Sequence, residues 1–583
     1  MNRLAGARSV WRPAPRPNLR ALAVTAAAAI VVSTVFAVFN GRCLDLVVAS
    51  SNEKFQLLTE IAKTYRPVSV DRHCVTVQII QKASGAAERS LRHDWIGESS
   101  SLPRPDVWSP AATTWLLLLN QHRLDDGRDE LVPPVAQSVM QSPLVIAMPQ
   151  QMADVLHEAI GPRIGWEHIF NLAQDPQGWA RYKKQVWGQF KLGKTNPTTS
   201  TSGLHALISA NNAAEASDAP QEFLKKIESS VVHYGDSVAT FLSSLYLADR
   251  NGAALAYVSA VAVEEKQAFD YNRGNPRSDL CRPYCPLTPP KEKLVAVYPA
   301  EGTLIADHPY AILEWADPAH RQAALDFERY LETPLVQELF QSEGFRNHRG
   351  EAGEVLTPPY FSPSGPKTRL LPPDPPELVE MLGLWIREFR KPAHALFVLD
   401  VGRSMLEPVA ADNATKLNVA IRASSEAFAE LAPHDAIGLW TFPTGDTSPY
   451  REVSTPGTLA PDTADFLRAQ RGLPTLGDEA SFYTIIRASV ERVRSSFVQT
   501  RINAVVVLTG GGYALNDKKS YVELIAYLQG QPEEERVRVF MISYNSPSRE
   551  VLKQIAESSG GSLYEVTDQV NIGDALRNAM SNF

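Results

Sequence analysis

The chain has 583 residues with a formal net charge of −8, and 44% of the residues are hydrophobic. This length leaves room for about three globular units, and the hydrophobic content is ordinary for packed cores. The acidic balance, with no long basic run beyond the N-terminal flank, gives no reason to expect a nucleic-acid partner.

The N-terminal segment combines a basic flank with an apolar run. Residues 1–20 carry five arginines and no acid, and residues 21–39 are apolar apart from Thr25, Ser33 and Thr34. As a helix this run spans about 28 Å, close to the thickness of the hydrocarbon core of a bilayer. We therefore expect a single-pass transmembrane anchor in the cell membrane, with the basic flank in the cytoplasm and the bulk of the chain outside. A cleaved secretory signal is the alternative.

The chain has four cysteines. Cys43 and Cys74 flank the first predicted strand and helix, and Cys281 and Cys285 bracket an Arg-Pro-Tyr tripeptide. An even number in an exported chain suggests disulfides, and closeness in sequence favours Cys43–Cys74 and Cys281–Cys285 among the three possible pairings. The scattered histidines match no zinc-ligand spacing.

Residues 44–345 contain strands that end in serine-bearing turns. Apolar strands are predicted to begin at Leu44 and over 75–80, a third strand lies around Val107, and each precedes a helix. A polar loop at 191–203, rich in Ser, Thr and Asn, precedes a fourth helical segment. Helix starts leave free N–H donors, so an edge that gathers them suits a polar or anionic small ligand.

This order of strands, turns and helices resembles the extracytoplasmic solute-binding proteins of type II topology, which are receptors of ABC importers. The resemblance implies an α/β bilobal domain, with residues 44–141 and 256–345 in one lobe and 142–255 in the other. For each serine an ordinary helix cap is the alternative, and for the tryptophan a core position. The cleft residues that it implies are Ser50, Ser51, Ser84, Gly85, Trp108, Ser109, Thr199, Ser200, Thr201, Ser202 and Tyr257.

Residues 346–391 form a predicted linker and helix. Residues 346–376 are rich in proline, a composition typical of an extended, semi-rigid connector. An apolar stripe at helical spacing follows, and we expect it to pack on the C-terminal domain. The stripe consists of Leu378, Met381, Leu382, Trp385 and Phe389.

Residues 392–583 alternate strands with helical segments. An apolar run from His394 ends in Asp400, and further strands are predicted over 437–442, 504–508, 537–543 and 562–566. This alternation predicts a doubly wound, Rossmann-like α/β domain, in which ligands bind beyond the carboxyl ends of the strands.

The same residues resemble the von Willebrand factor type A (VWFA) family in the order of their motifs. That family often holds Mg²⁺ at a metal-ion-dependent adhesion site, and of its ligand set Asp400 and Ser404 remain here. Gly402, Ala480 and Gly510 stand where the resemblance expects a serine, a threonine and an aspartate. The site is therefore degenerate: Mg²⁺ at Asp400 and Ser404 is one reading, and helix capping by these two side chains is the other. Nearby polar residues that offer substitute ligands are Asp478, Glu479 and Ser481.

Together these features predict a membrane-anchored binding protein. We expect it to capture a small polar or anionic solute, with a lean toward an oxyanion or a hydroxylated solute, and to bind a protein partner through the VWFA domain. The alternative is a cell-surface interaction or adhesion scaffold whose solute-binding fold no longer takes a ligand. An enzyme is not expected, since the sequence has no nucleophile elbow, P-loop, His-Glu-x-x-His pair or dinucleotide fingerprint. A further hypothesis is that lobe closure moves the linker and changes what the C-terminal domain presents.

Overall fold

The structure is a computed structural model. The residues that it describes are 43–66, 74–96, 98, 102–280, 287–409, 414–429, 431–442, 450–454, 482–511, 517–544, 546, 548–567 and 572–583. The predicted anchor at 21–39 and the predicted Cys281–Cys285 pair lie outside them. Within the described ranges, none of the helices combines the length and the apolar character needed to cross a bilayer.

Strands and helices alternate along residues 44–342. In chain order the strands are β1 (Leu44–Ser50), β2 (Val75–Gln81), β3 (Val107–Ser109), β4 (Gln137–Ser138), β5 (Ser142–Pro149), β6 (Leu192–Thr195), β7 (Val231–Gly235), β8 (Ala260–Glu264), β9 (Leu294–Val297), β10 (Ile305–Ala306) and β11 (Pro309–Ile312). The helices are α1 (Asn52–Thr64), α2 (Ser84–Arg92), α3 (Thr114–Asp125), α4 (Gln150–Ile160), α5 (Trp166–Gln174), α6 (Thr201–Ala214), α7 (Pro220–Ser229), α8 (Val238–Arg250), α9 (Ala254–Tyr257), α10 (Glu265–Asn272), α11 (Pro318–Leu331) and α12 (Pro334–Ser342).

These elements form two lobes, each with its own sheet. The first sheet has the order β2-β1-β3-β11-β4, with β1, β2 and β3 parallel. The second has the order β10-β5-β8-β6-β7, and β9 pairs with the same edge of β5 as β10, opposite β8. The apolar run of β1 is buried from Leu46 to Ala49, as expected for a strand covered on both faces.

The boundary between the lobes differs from the prediction. The strand β8 pairs with β5 and with β6, so it lies inside the second sheet, and β9 extends that sheet. The chain therefore returns to the first lobe between β10 and β11, near residue 307, and the predicted return at 256 is wrong. The alternation of apolar residues identifies a strand, but the sheet that the strand joins depends on long-range pairing.

Cys43 and Cys74 form the predicted disulfide. The bond joins the residues just before β1 and β2, and the backbone N–H of Leu44 donates to the carbonyl of Cys74 at 2.7 Å. The two strands are paired in parallel from Leu44 and Val75 onward. The disulfide therefore fixes the start of the first strand pair.

The proline-rich linker lies against the second lobe. The backbone N–H of Ala296 in β9 donates to the carbonyl of Tyr360 at 2.9 Å, and Thr303 and Arg369 form a parallel bridge. Arg346 at the start of the linker makes a buried ion pair with Glu265, with both nitrogen–oxygen distances 2.8 Å.

The helix after the linker packs on both lobes. It comprises α13 (Pro375–Leu384) and a π-helical turn over Trp385–Phe389. The first part lies on α3 of the first lobe and the turn lies on α7 of the second. Trp385 is buried, with its ring edge-on to Tyr234 of β7 at 5.2 Å between centroids. The apolar stripe thus covers the two lobes, which corrects the prediction that it packs on the C-terminal domain.

The C-terminal domain has the predicted doubly wound fold. Its strands are β12 (Ala393–Asp400), β13 (Pro408–Val409), β14 (Ala414–Thr415), β15 (Ala436–Phe442), β16 (Arg451–Ser454), β17 (Ile502–Thr509), β18 (Arg538–Tyr544) and β19 (Leu563–Val566). Its helices are α14 (Lys416–Ala429), α15 (Phe482–Ser495), α16 (Lys518–Gln529), α17 (Arg549–Ser558) and α18 (Ile572–Met580). The main sheet has the order β16-β15-β12-β17-β18-β19 and is parallel except for the edge strand β16.

Candidate functional site

The cleft between the lobes is bordered by the starts of five helices. The cap residues that precede α1, α2, α6, α8 and α10 all line it. The cleft is partly open to solvent, and the space between the helix starts, open solvent included, is about 520 Å³. The five cap residues are Ser51, Ala83, Ser200, Ser237 and Glu264.

Five of the predicted ligand-binding residues lie on this wall: Ser51, Ser84, Thr199, Ser200 and Thr201. Ser51 precedes α1, Ser84 begins α2, and the other three lie at the start of α6, so the structure brings both lobes' serine-bearing turns together. Two other predicted residues lie next to the cleft. Gly85 touches the opposite lobe, and Ser202 donates a hydrogen bond to the side chain of Gln267 at 3.2 Å, while Gln267 itself lines the cleft.

The remaining predicted residues face the protein interior. The hydroxyl of Ser50 donates to the carbonyl of Ser51, and that of Ser109 donates to a carbonyl of β11 at 2.8 Å. Trp108 packs in the core, and the hydroxyl of Tyr257 bonds to a buried histidine of β7. Ser50, Trp108, Ser109 and Tyr257 are therefore not on the described cleft wall, and their side chains make contacts within their own lobe.

Three carboxyl groups on the cleft wall were missed by the sequence reasoning: those of Glu53, Asp236 and Glu264. Glu53 lies in the first turn of α1, Asp236 follows β7, and Glu264 ends β8. Each lies where a strand passes into a helix. That position in the predicted elements could have identified these residues as candidates for the cleft wall. The predicted ligand-binding residues were instead taken mainly from the turns rich in hydroxyl groups.

A buried lysine lies behind this wall. The ammonium of Lys54 donates to the Ser51 hydroxyl at 3.0 Å, to the carbonyl of Pro110 at 2.7 Å and to Nδ1 of His308 at 3.2 Å. Complete burial lowers its pKa to about 8. Ser51 and Lys54 are as close as a nucleophile and its base, but all three ammonium protons have acceptors, and the serine hydroxyl donates to Glu53. The lysine therefore acts as a structural cation.

The two carboxyl oxygens of Glu264 differ in their hydrogen bonding. One carboxyl oxygen caps α10 through the backbone of Gln267. The other, Oε2, is buried without a hydrogen-bond partner among the described residues, and the nearest charged or titratable atom is Nε2 of His308 at 3.6 Å. Burial and the negative charge of Glu53 raise the pKa of Glu264 well above its ordinary value. Burial lowers the pKa of His308, so this histidine is neutral.

The lobes touch beside the cleft. The backbone N–H of Gly85 donates to the carbonyl of Thr199 at 3.3 Å, and the indole of Trp115 donates to the hydroxyl of Thr201 at 2.8 Å. A carbon atom added at Gly85 would lie 2.3 Å from the carbonyl oxygen of Thr198. Only glycine permits this close approach between α2 and the loop before α6.

The C-terminal domain contacts both lobes beside the cleft. The hydroxyl of Tyr564 donates to Asp236 at 3.0 Å and accepts from Asn582 at 2.7 Å. Burial raises the pKa of Asp236 to about 6. On the first lobe, the ammonium of Lys82 lies 3.6 Å from Asp574 of α18. The domain therefore contacts both lobes at once.

The described residues at the sheet edge near Asp400 do not fit a magnesium site. The buried Asp400 carboxylate accepts from the backbone N–H groups of Gly402 and Gly510, at 2.8 and 3.0 Å, and from the Thr509 hydroxyl at 2.9 Å. A side chain at position 510 would start 2.8 Å from the hydroxyl oxygen of Ser404. The carboxylate is thus committed to the loop, and there is no room for the aspartate of the VWFA pattern. The candidate substitutes at 478–481 lie outside the described residues.

The two lobes match a known protein family. A family model described as bacterial extracellular solute-binding protein matches residues 46–346, just over half of the chain. A search of curated proteins found no match.

Solved structures similar to this chain include a periplasmic thiamin binding protein, at 12% identity and a TM-score of 0.38, over 59% of this chain and 96% of that one. They also include the sulfate-binding protein SubI from Mycobacterium tuberculosis H37Rv, at 13% identity and a TM-score of 0.36, over 59% and 96%. The VWA domain of SpRpn10 is similar at 18% identity and a TM-score of 0.25, over 32% and 93%.

Proposed function

Since the chain belongs to the bacterial extracellular solute-binding protein family through residues 46–346, we propose that it is an extracytoplasmic receptor that captures a small polar solute between its two lobes. The family's description as extracellular supports a location outside the cytoplasm. The chemistry proposed is reversible binding, with no covalent step.

The observation that carries this proposal is the meeting of five helix starts around one cleft. Helix starts present N–H groups that lack partners within the helix, and they favour polar ligands. Serine and threonine hydroxyls from both lobes face the same space, so a solute there bonds to both lobes and stabilises their contact. Such a concentration of polar groups is unfavourable in a packed core, because buried polar groups need hydrogen-bond partners.

A binding screen tests the proposal. The full-length chain in detergent is screened by thermal shift and calorimetry against sugars, oxyanions, amino acids and amines. A ligand present at a hundred times its dissociation constant adds about 2.7 kcal/mol to the stability of the folded state. We expect the hit to be weakened by Ser84→Ala, which removes a lining hydroxyl, and unchanged by Ser229→Ala at the exposed end of α7. A full panel without a hit contradicts a receptor function.

The second candidate function is a surface scaffold with no solute. Direct hydrogen bonds between the lobes and contacts of the C-terminal domain with both of them favour it, because they hold the lobes together without a ligand. In that case solutes leave the shape of the protein unchanged, and binding of a surface protein survives Ser84→Ala.

We further propose that the C-terminal domain binds a protein partner and that its position is coupled to lobe closure. The coupling is supported by Tyr564, which contacts the cleft residue Asp236 directly. Small-angle scattering in the presence and absence of a saturating hit tests it. An unchanged scattering curve contradicts the coupling.

We propose that residues 21–39 remain as the membrane anchor. The test is the intact mass of the mature protein together with its resistance to extraction by carbonate. A mass that begins after residue 39 identifies a cleaved signal instead.

A further inference from the structure

The charge of the cleft points to a class of solute. We infer that the cleft takes a small cationic solute with N–H donors, such as an amine or a guanidinium compound, and not an oxyanion. This inference rests on the proposed function, since it specifies what the cleft between the lobes binds. A cationic solute replaces the oxyanion that was expected from the hydroxyl-rich turns.

Acidic side chains outnumber basic ones on the wall of the cleft. Glu53, Asp236 and Glu264 bring three carboxyl groups to the cleft. Among the described lining residues, the one cationic side chain is that of Arg277, which is exposed at the rim. Burial raises the pKa of Asp236 and of Glu264, so both carboxyl groups gain from a partner that favours their ionised form. A cation is such a partner, whereas an oxyanion opposes their ionisation.

One carboxyl oxygen of Glu264 is buried without a hydrogen bond. This residue is only 1% exposed, it lines the cleft, and Oε2 has no hydrogen-bond partner in the described part of the chain. Nε2 of the neutral His308 lies 3.6 Å away, beyond hydrogen-bond distance, and that nitrogen also has no partner among the described residues. Buried polar atoms are almost always bonded, and an ionised carboxylate oxygen accepts but does not donate. An N–H donor on a solute that reaches this oxygen supplies the bond that His308 does not make. A positive charge on that donor also favours the ionised carboxylate.

The buried lysines near the cleft already have partners within the protein. The three protons of Lys54 point to Ser51, Pro110 and His308. The ammonium of Lys82 lies 2.7 Å from a glutamate and near Asp574. Neither lysine is free to receive an anion.

Not all five helix starts have backbone N–H groups available to an anion. The side chain of Ser237 accepts from the backbone N–H of Thr240 and so caps α8. Glu264 and Gln267 form a reciprocal capping box on α10. Two of the five helix starts are therefore satisfied by their own side chains.

The test compares probes of matched length and opposite charge. Calorimetry on the full-length chain uses putrescine and agmatine as cations, succinate and sulfate as anions, and glucose as a neutral solute. We expect at least one cation to bind, with no binding of the anions. Glu264→Gln keeps the size of the side chain and an acceptor for the cap but removes the charge, so it is expected to weaken cation binding at least tenfold.

Controls separate folding from binding. Glu158→Gln removes an acid from the exposed end of α4 and is expected to leave the affinity unchanged. Glu53→Gln offers a second cleft variant if Glu264→Gln unfolds, as judged by circular dichroism.

The outcomes distinguish this inference from the proposed function. Binding of succinate, sulfate or glucose that Ser84→Ala weakens, without binding of a cation, overturns the cationic assignment and leaves the receptor function intact. A cation that binds equally well to the Glu264→Gln and Glu53→Gln proteins also overturns it. If none of the five probes binds and the wider screen is silent, the receptor function itself fails.

Discussion

Replacing Gly85 by alanine should wedge the two lobes apart. The added methyl carbon would lie 2.3 Å from the carbonyl oxygen of Thr198 and 2.8 Å from the Cα of Thr199. Both are backbone atoms, so no side-chain rotation relieves the overlap. Restoring a normal carbon–oxygen contact of about 3.2 Å requires the lobes to separate by about 1 Å at this point.

The free-energy change follows from the hydrogen bonds that such a separation breaks. Three bonds join the lobes here, from the Gly85 N–H to Thr199 at 3.3 Å, from the Trp115 indole to Thr201 at 2.8 Å and between Thr114 and His205 at 3.2 Å. At about 1 kcal/mol each, their loss favours the separated lobes by about 3 kcal/mol, or about a hundredfold in the equilibrium. The helix itself gains about 0.5–1 kcal/mol from the replacement of glycine.

Scattering and solute affinity measure the effect. We expect Gly85→Ala to increase the radius of gyration and to weaken solute binding by one to two orders of magnitude, with the fold intact by circular dichroism. Gly383→Ala is the matched control, because it also lies in a helix and its methyl group meets only the flexible end of the Arg387 side chain. Unchanged scattering and affinity in Gly85→Ala would refute the reasoning that the lobe contact is tight and linked to binding.

Three further predictions concern stability and domain docking. Removing the Cys43–Cys74 bond with a double serine variant opens a loop with a sequence separation of 31 and should cost about 4 kcal/mol of unfolding free energy in urea; equal midpoints would contradict this. Burial depresses the pKa of His205 from 6.5 to about 3, so its contribution is complete above 6.5 and is lost as the pH falls toward 3. Stability should therefore drop by about 1.4 kcal/mol per pH unit below 6.5 from this group, and His205→Gln should flatten the slope. Tyr564→Phe deletes the hydroxyl between Asp236 and Asn582. It should speed hydrogen exchange in β19 and α18 with little change in β12, whereas an equal change in all three elements would indicate that this bond does not hold the domain in place.

The C-terminal domain contacts both lobes at residues on or beside the cleft. It reaches the second lobe through Tyr564 and Asn582 and the first lobe through Asp574. Backbone groups take part as well, since the N–H of Tyr234 donates to the carbonyl of Asn582 at 3.1 Å. Under the proposed coupling, a motion that opens the cleft alters these contacts.

The sequence predicted the site only in part. The turns at Ser51, Ser84 and 199–201 were identified because strands that pass into helices leave their polar caps at one edge of a sheet. Glu53, Asp236 and Glu264 were missed, although they lie at the same strand-to-helix passages. Exposed acids are common at helix starts, and only the packing of one lobe against the other shows that these three line one cleft.

The local elements of this protein could be predicted from its sequence, because apolar periodicity and capping residues act within a few residues along the chain. Those patterns were enough to predict β12, β15, β17 and β18 and the disulfide between Cys43 and Cys74. They could not predict which sheet β8 joins, where the helix at Trp385 packs or what charge the cleft carries. Those properties depend on pairings between residues far apart in sequence, and their energies come from burial that exists only once the lobes and the C-terminal domain have met.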